Sequence, residues 1–199
     1  MLELRKGCKV PFPEMLEEGY KTFGNMIIAN VSADKIKAVM AHFICTHPEP
    51  IFFILELPAN QHDEAEIQPG VVAAFHKDIY YIDGCTTEEA LAILSRIGEL
   101  AINDGLCAFG FGGHKSQDEI MFDKYNVTTI FCKDTSGYDG FLEEHGIVRN
   151  DNLVLAWDTF SEDNPGQCET VVTEGRDVYS IPEQFADWGI YKAEQREAD

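Results

Sequence analysis

The amino-acid sequence predicts an α+β (or α/β) protein in which about four helices pack on a mixed β-sheet. A strand, a helix and an apolar strand follow one another in this order three times along the chain, at similar intervals. Such alternation is typical of helices that cover a sheet. The chain has 199 residues, of which 45% are hydrophobic, and this size favours one domain over residues 1–199.

The first unit covers residues 25–57. Residues 25–31 predict a short strand, and Ser32 offers a side-chain oxygen for the N-cap of the following helix. The apolar stripe of this helix consists of Ile36, Val39, Met40, Phe43 and Ile44. The pair His47-Pro48 ends the helix, because proline disfavours a helical residue before it. The nearly continuous apolar run 51–57 then predicts a strand that is covered on both faces.

The second unit repeats this order between residues 78 and 111. Residues 78–83 predict a strand, and Thr86 with Glu89 forms the T-x-x-E pattern of a capping box at the start of a helix. Gly105 ends that helix, and residues 106–111 predict the next strand.

The third unit is weaker. It combines a β-branched strand at 127–132, a short helix at 138–145 and a strand at 153–157. Residues 168–181 predict a hairpin, and Pro182 suits the first turn of a last helix that extends to Ile190-Tyr191.

A polar stretch near residues 58–70 is the candidate boundary within the chain. It is flanked by prolines and lacks any periodicity. It predicts either a long loop or a division between an N-terminal layer, 1–57, and a main sheet, 71–199.

Charge excludes two classes of partner. The chain has 35 acidic and 15 basic residues, which gives a net charge of −20, and this field repels nucleic acid and anionic membranes. Residues 134–199 hold 16 acids against four bases, so the acids are concentrated in the last third. This third forms either a solvated face that maintains solubility or a surface that meets a basic protein.

The sequence predicts a cytoplasmic protein with reduced thiols. No apolar run approaches the length needed to span a bilayer, and the first residues lack the pattern of a signal peptide. Six cysteines occur, the nearest two of them 22 residues apart, and most lie in apolar segments. We therefore expect mostly buried, reduced thiols rather than a disulfide framework or a metal site.

No catalytic or cofactor motif is complete. The glycine-rich run 109–116 has His114 where a phosphate loop needs glycine, so it predicts a strand end and a turn. The triplet His62-Asp63-Glu64 predicts a polar loop, because adjacent residues rarely converge on one metal ion. Cys45 and His47 are badly placed for a nucleophile and its base. We expect no enzyme activity, no cofactor and no metal.

Acids that accompany aromatic residues in the last third are the candidate contacts with a partner. Interfaces gain most of their energy from a few aromatic anchors within a polar rim. The candidates are Tyr138, Asp139, Glu143, Glu144, Trp157, Asp158, Glu162 and Asp163. For the aromatic residues, the alternative is a place in the core, where large rings are usually found.

In size, acidity and the absence of a catalytic motif, the whole chain resembles the immunity proteins of bacterial polymorphic and contact-dependent toxin systems. The resemblance implies an α/β protein that binds a basic toxin domain, such as a nuclease, and silences it. It assigns no individual residue a role. The alternative is a cytoplasmic protein that binds a small molecule, or a hydrolase whose site one sequence does not reveal.

Overall fold

The helices and strands are seen in a computed structural model that describes residues 2–59, 66–68, 71–72 and 75–197. The helices are α1 (Ile36–Thr46), α2 (Thr87–Asn103), α3 (Ser136–Glu144) and α4 (Ile181–Gln184). The strands are β1 (Cys8–Lys9), β2 (Gly19–Phe23), β3 (Met26–Asn30), β4 (Ile51–Pro58), β5 (Glu66–Gln68), β6 (Val71–Val72), β7 (His76–Cys85), β8 (Ala108–Gly113), β9 (Glu119–Phe122), β10 (Val127–Phe131), β11 (Val148–Arg149), β12 (Gln167–Cys168) and β13 (Tyr191–Glu197). The predicted α+β class is confirmed.

Nine strands form one mixed sheet, in the order β11-β2-β3-β10-β9-β8-β4-β7-β13. Only the contact of β11 with β2 is parallel, and the other neighbours are antiparallel. Strand β4 lies between β7 and β8, while β3 pairs with β10. Residues 1–57 therefore do not form a separate layer, because their strands are interleaved with later ones. Most of the predicted boundary at 58–70 lies outside the described residues.

Helices α1 and α2 begin for different local reasons. At α2 the predicted capping box is present: the Glu89 backbone N–H donates to Thr86 Oγ1 (3.2 Å), and the Thr86 N–H donates to the Glu89 carboxylate (2.8 Å). At α1 the predicted cap is wrong. The Ser32 hydroxyl accepts from the Glu3 N–H (2.9 Å), and the helix begins after Lys35. Its five predicted stripe residues are nevertheless all buried.

The main core lies between one face of the sheet and the helices. Phe53 and Leu55 of β4 pair in register with Phe111 and Phe109 of β8, so all four side chains point to the same face. They join the buried residues of α1, α2 and α3 in one cluster. We call this side of the sheet the helical face.

The opposite face of the sheet has thinner cover. Leu153 and Leu155 pack there against Val127 and Ile28, and this small cluster is separate from the main core. Phe131, on the same face by register, is 44% exposed.

Three predicted elements of the last third are wrong. Residues 153–157 form no strand, because their carbonyls accept side-chain donors: Lys21 Nζ bonds Leu153 (2.9 Å) and Asn30 Nδ2 bonds Val154 (2.8 Å). The hairpin 168–181 is reduced to a turn, since β12 pairs with β1 instead. The last helix stops after one turn of α4, and the chain from Tyr191 joins β7 as an edge strand.

No helix in the described part of the chain is both long and apolar enough to cross a lipid bilayer. The longest, α2, has 17 residues, and glutamates and an arginine interrupt it.

Candidate functional site

The structure divides the predicted contact residues between the two faces of the sheet. Helix α3 belongs to the helical face, because Phe141 stacks on His42 of α1 with ring centroids 3.8 Å apart. The segment that holds Trp157 follows Leu153 and Leu155, which pack on the opposite face. The candidate contact acids of the last third therefore form two groups rather than one surface.

Tyr138 is a core residue, so its expected place as an exposed anchor is wrong. Only 4% of it is exposed, and its ring packs edge-on against His42. Burial raises the pKa of its hydroxyl, which has no hydrogen-bond partner among the described residues. The side chain faces inward because α3 needs an apolar contact with the helical layer, and Tyr138 with Leu142 supplies it.

The three acids of α3 differ in what they contact. Asp139 is half-buried and accepts a hydrogen bond from the Tyr20 hydroxyl (2.8 Å), so it fastens α3 to β2. Burial first, and then this carboxylate, raises the pKa of Tyr20 to about 12. Glu143 and Glu144 are exposed at the C-terminal end of the helix. These two remain a surface pair.

Trp157, Asp158, Glu162 and Asp163 form the second group, which we call the Trp157 surface. Trp157 lies in a 3₁₀ turn, Ala156–Thr159, and is 44% exposed. The Asp158 carboxylate accepts the Leu155 N–H (2.8 Å) and so holds the start of the turn. Glu162 and Asp163 are exposed in the loop that follows.

A cavity of about 460 Å³ opens beside Trp157. Tyr125 and Phe75 add aromatic walls. The polar part of the lining consists of an ion pair of Lys77 with Glu56 (2.8 Å), together with His76, Asp123 and Lys124. The volume lies within the range of sites that hold small molecules or single side chains.

The wall of this cavity at Tyr125 has a strained backbone. Tyr125 and Asn126 both adopt left-handed conformations, with φ of 57° and 65°. The buried Asn126 side chain accepts the Arg5 N–H (2.8 Å) and donates to the carbonyls of Glu3 and Val31 (both 2.9 Å). Strain of this kind persists where surrounding contacts fix the conformation.

The structure also places most of the catalytic and metal-binding candidates of the sequence. Among the described residues, no group of three or more His, Cys, Asp or Glu is placed to hold a metal ion. Cys45 is exposed, whereas the His47 imidazole contacts the Phe43 carbonyl (2.7 Å) and Asp118 (3.2 Å). The run 109–116 is the end of β8 and a turn, as predicted. His62, Asp63 and Glu64 lie outside the described residues.

Sequence reasoning missed an acidic corner at another end of the sheet. Asp83, Glu89 and Asp187 line a cavity of about 360 Å³ together with Trp188, and the Tyr191 hydroxyl donates to Asp83 (2.5 Å). Asp83 and Glu89 lie close together at the end of β7 and the start of α2, whereas Asp187 comes from a 3₁₀ turn about 100 residues later. Only the adjacent pair Asp187-Trp188 could have suggested the corner, and it is too short a signal.

Comparison of the chain with protein-family models, with curated proteins and with solved structures finds no match.

Proposed function

We propose that this protein is a cytoplasmic binding protein that neutralises a basic toxin domain, as immunity proteins do, and that it binds through the Trp157 surface. One observation carries the proposal: a half-exposed tryptophan lies beside a cavity on the face opposite the helices, and three exposed acids follow it within six residues of the chain. This combination matches an anchor within a charged rim.

The cavity supports the proposal because it is large enough to hold a side chain of a partner protein. Hot spots of interfaces lie where an aromatic ring or a long side chain fills a dry pocket. The aromatic walls of Trp157 and Tyr125 suit the stem of a lysine or arginine. The exposed carboxylates of Asp158, Glu162 and Asp163 lie close along the chain and attract its charged end.

The bases of the last third do not neutralise the acids of the Trp157 surface. Within residues 134–197, each base already contacts an acid: Arg149 with Asp151, Arg176 with Glu174, Lys192 with Asp78 and Arg196 with Glu194. None of these pairs involves an acid of the Trp157 surface. In the adjoining cavity Lys77 and Lys124 are matched in number by Glu56 and Asp123, so the three acids of this surface still attract a basic protein and speed its approach.

The test compares two pairs of charge reversals that change the net charge equally. The Glu162→Lys/Asp163→Lys protein alters the Trp157 surface, and the Glu143→Lys/Glu144→Lys protein alters α3 on the helical face. The partner is a basic domain encoded by a neighbouring gene, in an inactivated form. We expect the first pair to slow association roughly tenfold or more and to weaken its dependence on salt. The second pair should change the association rate and its dependence on salt far less.

A matched pair of tryptophans tests the anchor in the same assay. Trp157→Ala should weaken binding by about 30-fold, whereas Trp188→Ala, which removes an exposed ring in the acidic corner, should leave it nearly unchanged. Equal effects of the two charge pairs, or a larger effect of Trp188→Ala, would contradict the proposed surface. Failure of the protein to protect cells that produce the active domain would contradict the function itself.

The cavity also favours a second candidate, the binding of a small molecule. Its volume of about 460 Å³ and its lining of aromatic and aliphatic side chains with a few charged groups are typical of such sites. A ligand that raises Tm and loses this effect in the Trp157→Ala protein, with no basic partner bound, would favour this candidate.

A further inference from the structure

Two cysteines from opposite ends of the chain lie against each other. Strand β1 pairs with β12, and Cys8 stands directly opposite Cys168. Their Sγ atoms are 3.2 Å apart, about 1 Å more than a covalent S–S bond. The Glu169 N–H donates to the Gly7 carbonyl (2.8 Å), so the two cysteines occupy a non-hydrogen-bonded position of the ladder. Opposite Cα atoms approach most closely at such positions, within the range that a disulfide spans.

Three backbone segments hold this register firmly. Gly105 donates its N–H to the Glu169 carbonyl (3.0 Å), and Gly7 donates to the Asn103 carbonyl (2.8 Å). A Cβ atom on Gly7 or on Gly105 would collide with the backbone of the other, so only glycine allows this approach. The junction therefore keeps the two thiols opposed without help from a covalent bond.

The two thiols have different surroundings. Cys8 is buried and Cys168 is half-buried. The pKa of Cys168 falls to about 7, chiefly because the Cys8 thiol donates a hydrogen bond to it. A hydrogen bond from Tyr125 and the positive charges of Lys124 and Arg5 lower this pKa further, whereas burial acts in the opposite direction. The pKa of Cys8 is raised because its proton lies in that hydrogen bond and because it is buried. Of the two thiols, Cys168 is therefore the one that ionises first as the pH rises, and Cys8 keeps its proton.

Solvent reaches the pair from one side. A cavity of about 410 Å³ is lined by Cys168 together with Gly7, Lys9, Gly166, Gln167 and Glu169. Lys9 and Glu169 form an exposed ion pair (3.3 Å). A small oxidant can enter this cavity and meet Cys168 before it meets Cys8.

We propose that Cys168 and Cys8 form a peroxide-reactive dithiol, which on oxidation closes a disulfide between the two ends of the chain. The Cys168 thiolate attacks one oxygen of hydrogen peroxide: an S–O bond forms, the O–O bond breaks, and the departing hydroxide takes up a proton to become water. Cys8 then attacks the sulfenic sulfur of Cys168, so that the S–S bond forms and the S–O bond breaks. The second hydroxide takes the Cys8 proton and leaves as water. Two thiols and one peroxide thus give one disulfide and two waters.

The test treats the folded protein with one equivalent of hydrogen peroxide at pH 7. We expect a product that has lost two hydrogens, two fewer free thiols than the six of the reduced chain, and a peptide that links Cys8 to Cys168. A thiol reductant should reverse it. The oxidised protein should melt roughly 5–15 °C higher, because the bond closes a very long loop.

Four variants separate the roles. Cys168→Ser should slow the consumption of peroxide about tenfold or more, whereas Cys45→Ser, which removes an exposed thiol elsewhere, should not. Cys8→Ser should leave a sulfenic acid on Cys168 that dimedone traps. Tyr125→Phe should move the pH midpoint of Cys168 alkylation upwards from its value near 7.

Two results would overturn the proposal. One is an oxidised product in which Cys45 or another thiol reacts first and no Cys8–Cys168 peptide forms. The other is an alkylation profile in which Cys168 of the unaltered protein reacts no faster than Cys45 at pH 7; this measurement needs no variant, so it applies even where a substitution prevents folding.

Discussion

The two faces of the nine-stranded sheet differ in how they are covered. On the helical face, α1, α2 and α3 bury one continuous cluster of side chains. On the opposite face, small clusters around Leu153 and around Ala156 leave Phe23 and Phe131 partly in solvent and a cavity beside Trp157. One face thus holds most of the buried core, while the other keeps exposed aromatic side chains and a cavity.

The side chains of a single strand explain this difference. In β8, Phe109 and Phe111 point to the helical face, while Gly110 and Gly112 alternate with them. On the opposite face the ring of Phe52 lies over Gly112, and a Cβ there would collide with it. Large residues on one side and glycines on the other make the first face a core and the second a shallow surface.

The largest expected effect concerns Arg5, which is fully buried against the helical face. Arg5 donates to the carbonyls of Ala101 (2.5 Å), Ile102 (3.1 Å) and Cys107 (3.1 Å), and its guanidinium lies 4.6 Å from the centre of the Phe122 ring. The first two carbonyls belong to the last turn of α2, whose dipole favours a cation.

Arg5→Met should lower the free energy of unfolding by more than about 3 kcal/mol, since each buried acceptor left without a donor costs roughly 1–3 kcal/mol. Lys6→Met, which removes an exposed positive charge from the next residue, is the control. Denaturant unfolding measures both. A loss for Arg5→Met no larger than that of the control would mean that the helical face does not depend on its buried cation.

A pair of phenylalanines compares the faces directly. Phe111→Ala removes a fully buried ring from the helical face and should cost about 3–5 kcal/mol of stability. Phe131→Ala removes a ring of the opposite face that is already 44% exposed, and it should cost less than about 1 kcal/mol. Equal losses in thermal or urea unfolding would show that both faces contribute alike and would remove the basis of the comparison.

The smallest effect concerns a carboxylate on the opposite face. Glu119 of β9 is partly buried, and burial first, then the nearby Glu56 carboxylate, raises its pKa. The folded state therefore binds this proton more tightly than the unfolded state does. The resulting stability is present below the unfolded pKa and is lost as the pH rises through the folded pKa.

Glu119→Gln should consequently stabilise the protein at pH 7 by less than about 1 kcal/mol and make no difference near pH 3. Glu99→Gln, on the exposed side of α2, should have no effect at either pH. The melting temperatures of the two variants and of the unaltered protein, measured from pH 3 to pH 8, test this expectation. If the stability gained by Glu119→Gln instead increased toward low pH, the pKa of Glu119 would be lowered by folding rather than raised, and the explanation would be wrong.

Prediction from the sequence succeeded where the signal is local. The stripe of α1 and the Thr86–Glu89 box of α2 depend on residues within a few turns of one another, and both features are present. It failed where the partner is distant. Residues 153–157 have the composition of a strand, but Lys21 and Asn30 occupy their carbonyls. The edge strand β13 forms only because β7 offers it free backbone groups.

The candidate site shows the same limit. The sequence indicated exposed acids beside Trp157, and these residues are exposed. It also grouped Tyr138 with them, but the Tyr138 ring is buried where α3 packs against α1. Aromatic side chains serve as anchors and as core residues alike, so only the packing of the helix against its neighbours distinguishes the two roles.

The sequence by itself determined the fold class, the positions of the three longer helices and the acidity of the last third, because periodicity, caps and charge are properties of neighbouring residues. Only the tertiary structure decided that the acids of α3 and those near Trp157 lie on opposite faces, and that Cys8 meets Cys168 across a separation of 160 residues. Both depend on the order in which strands pair, and that order is set by the packing of the whole chain.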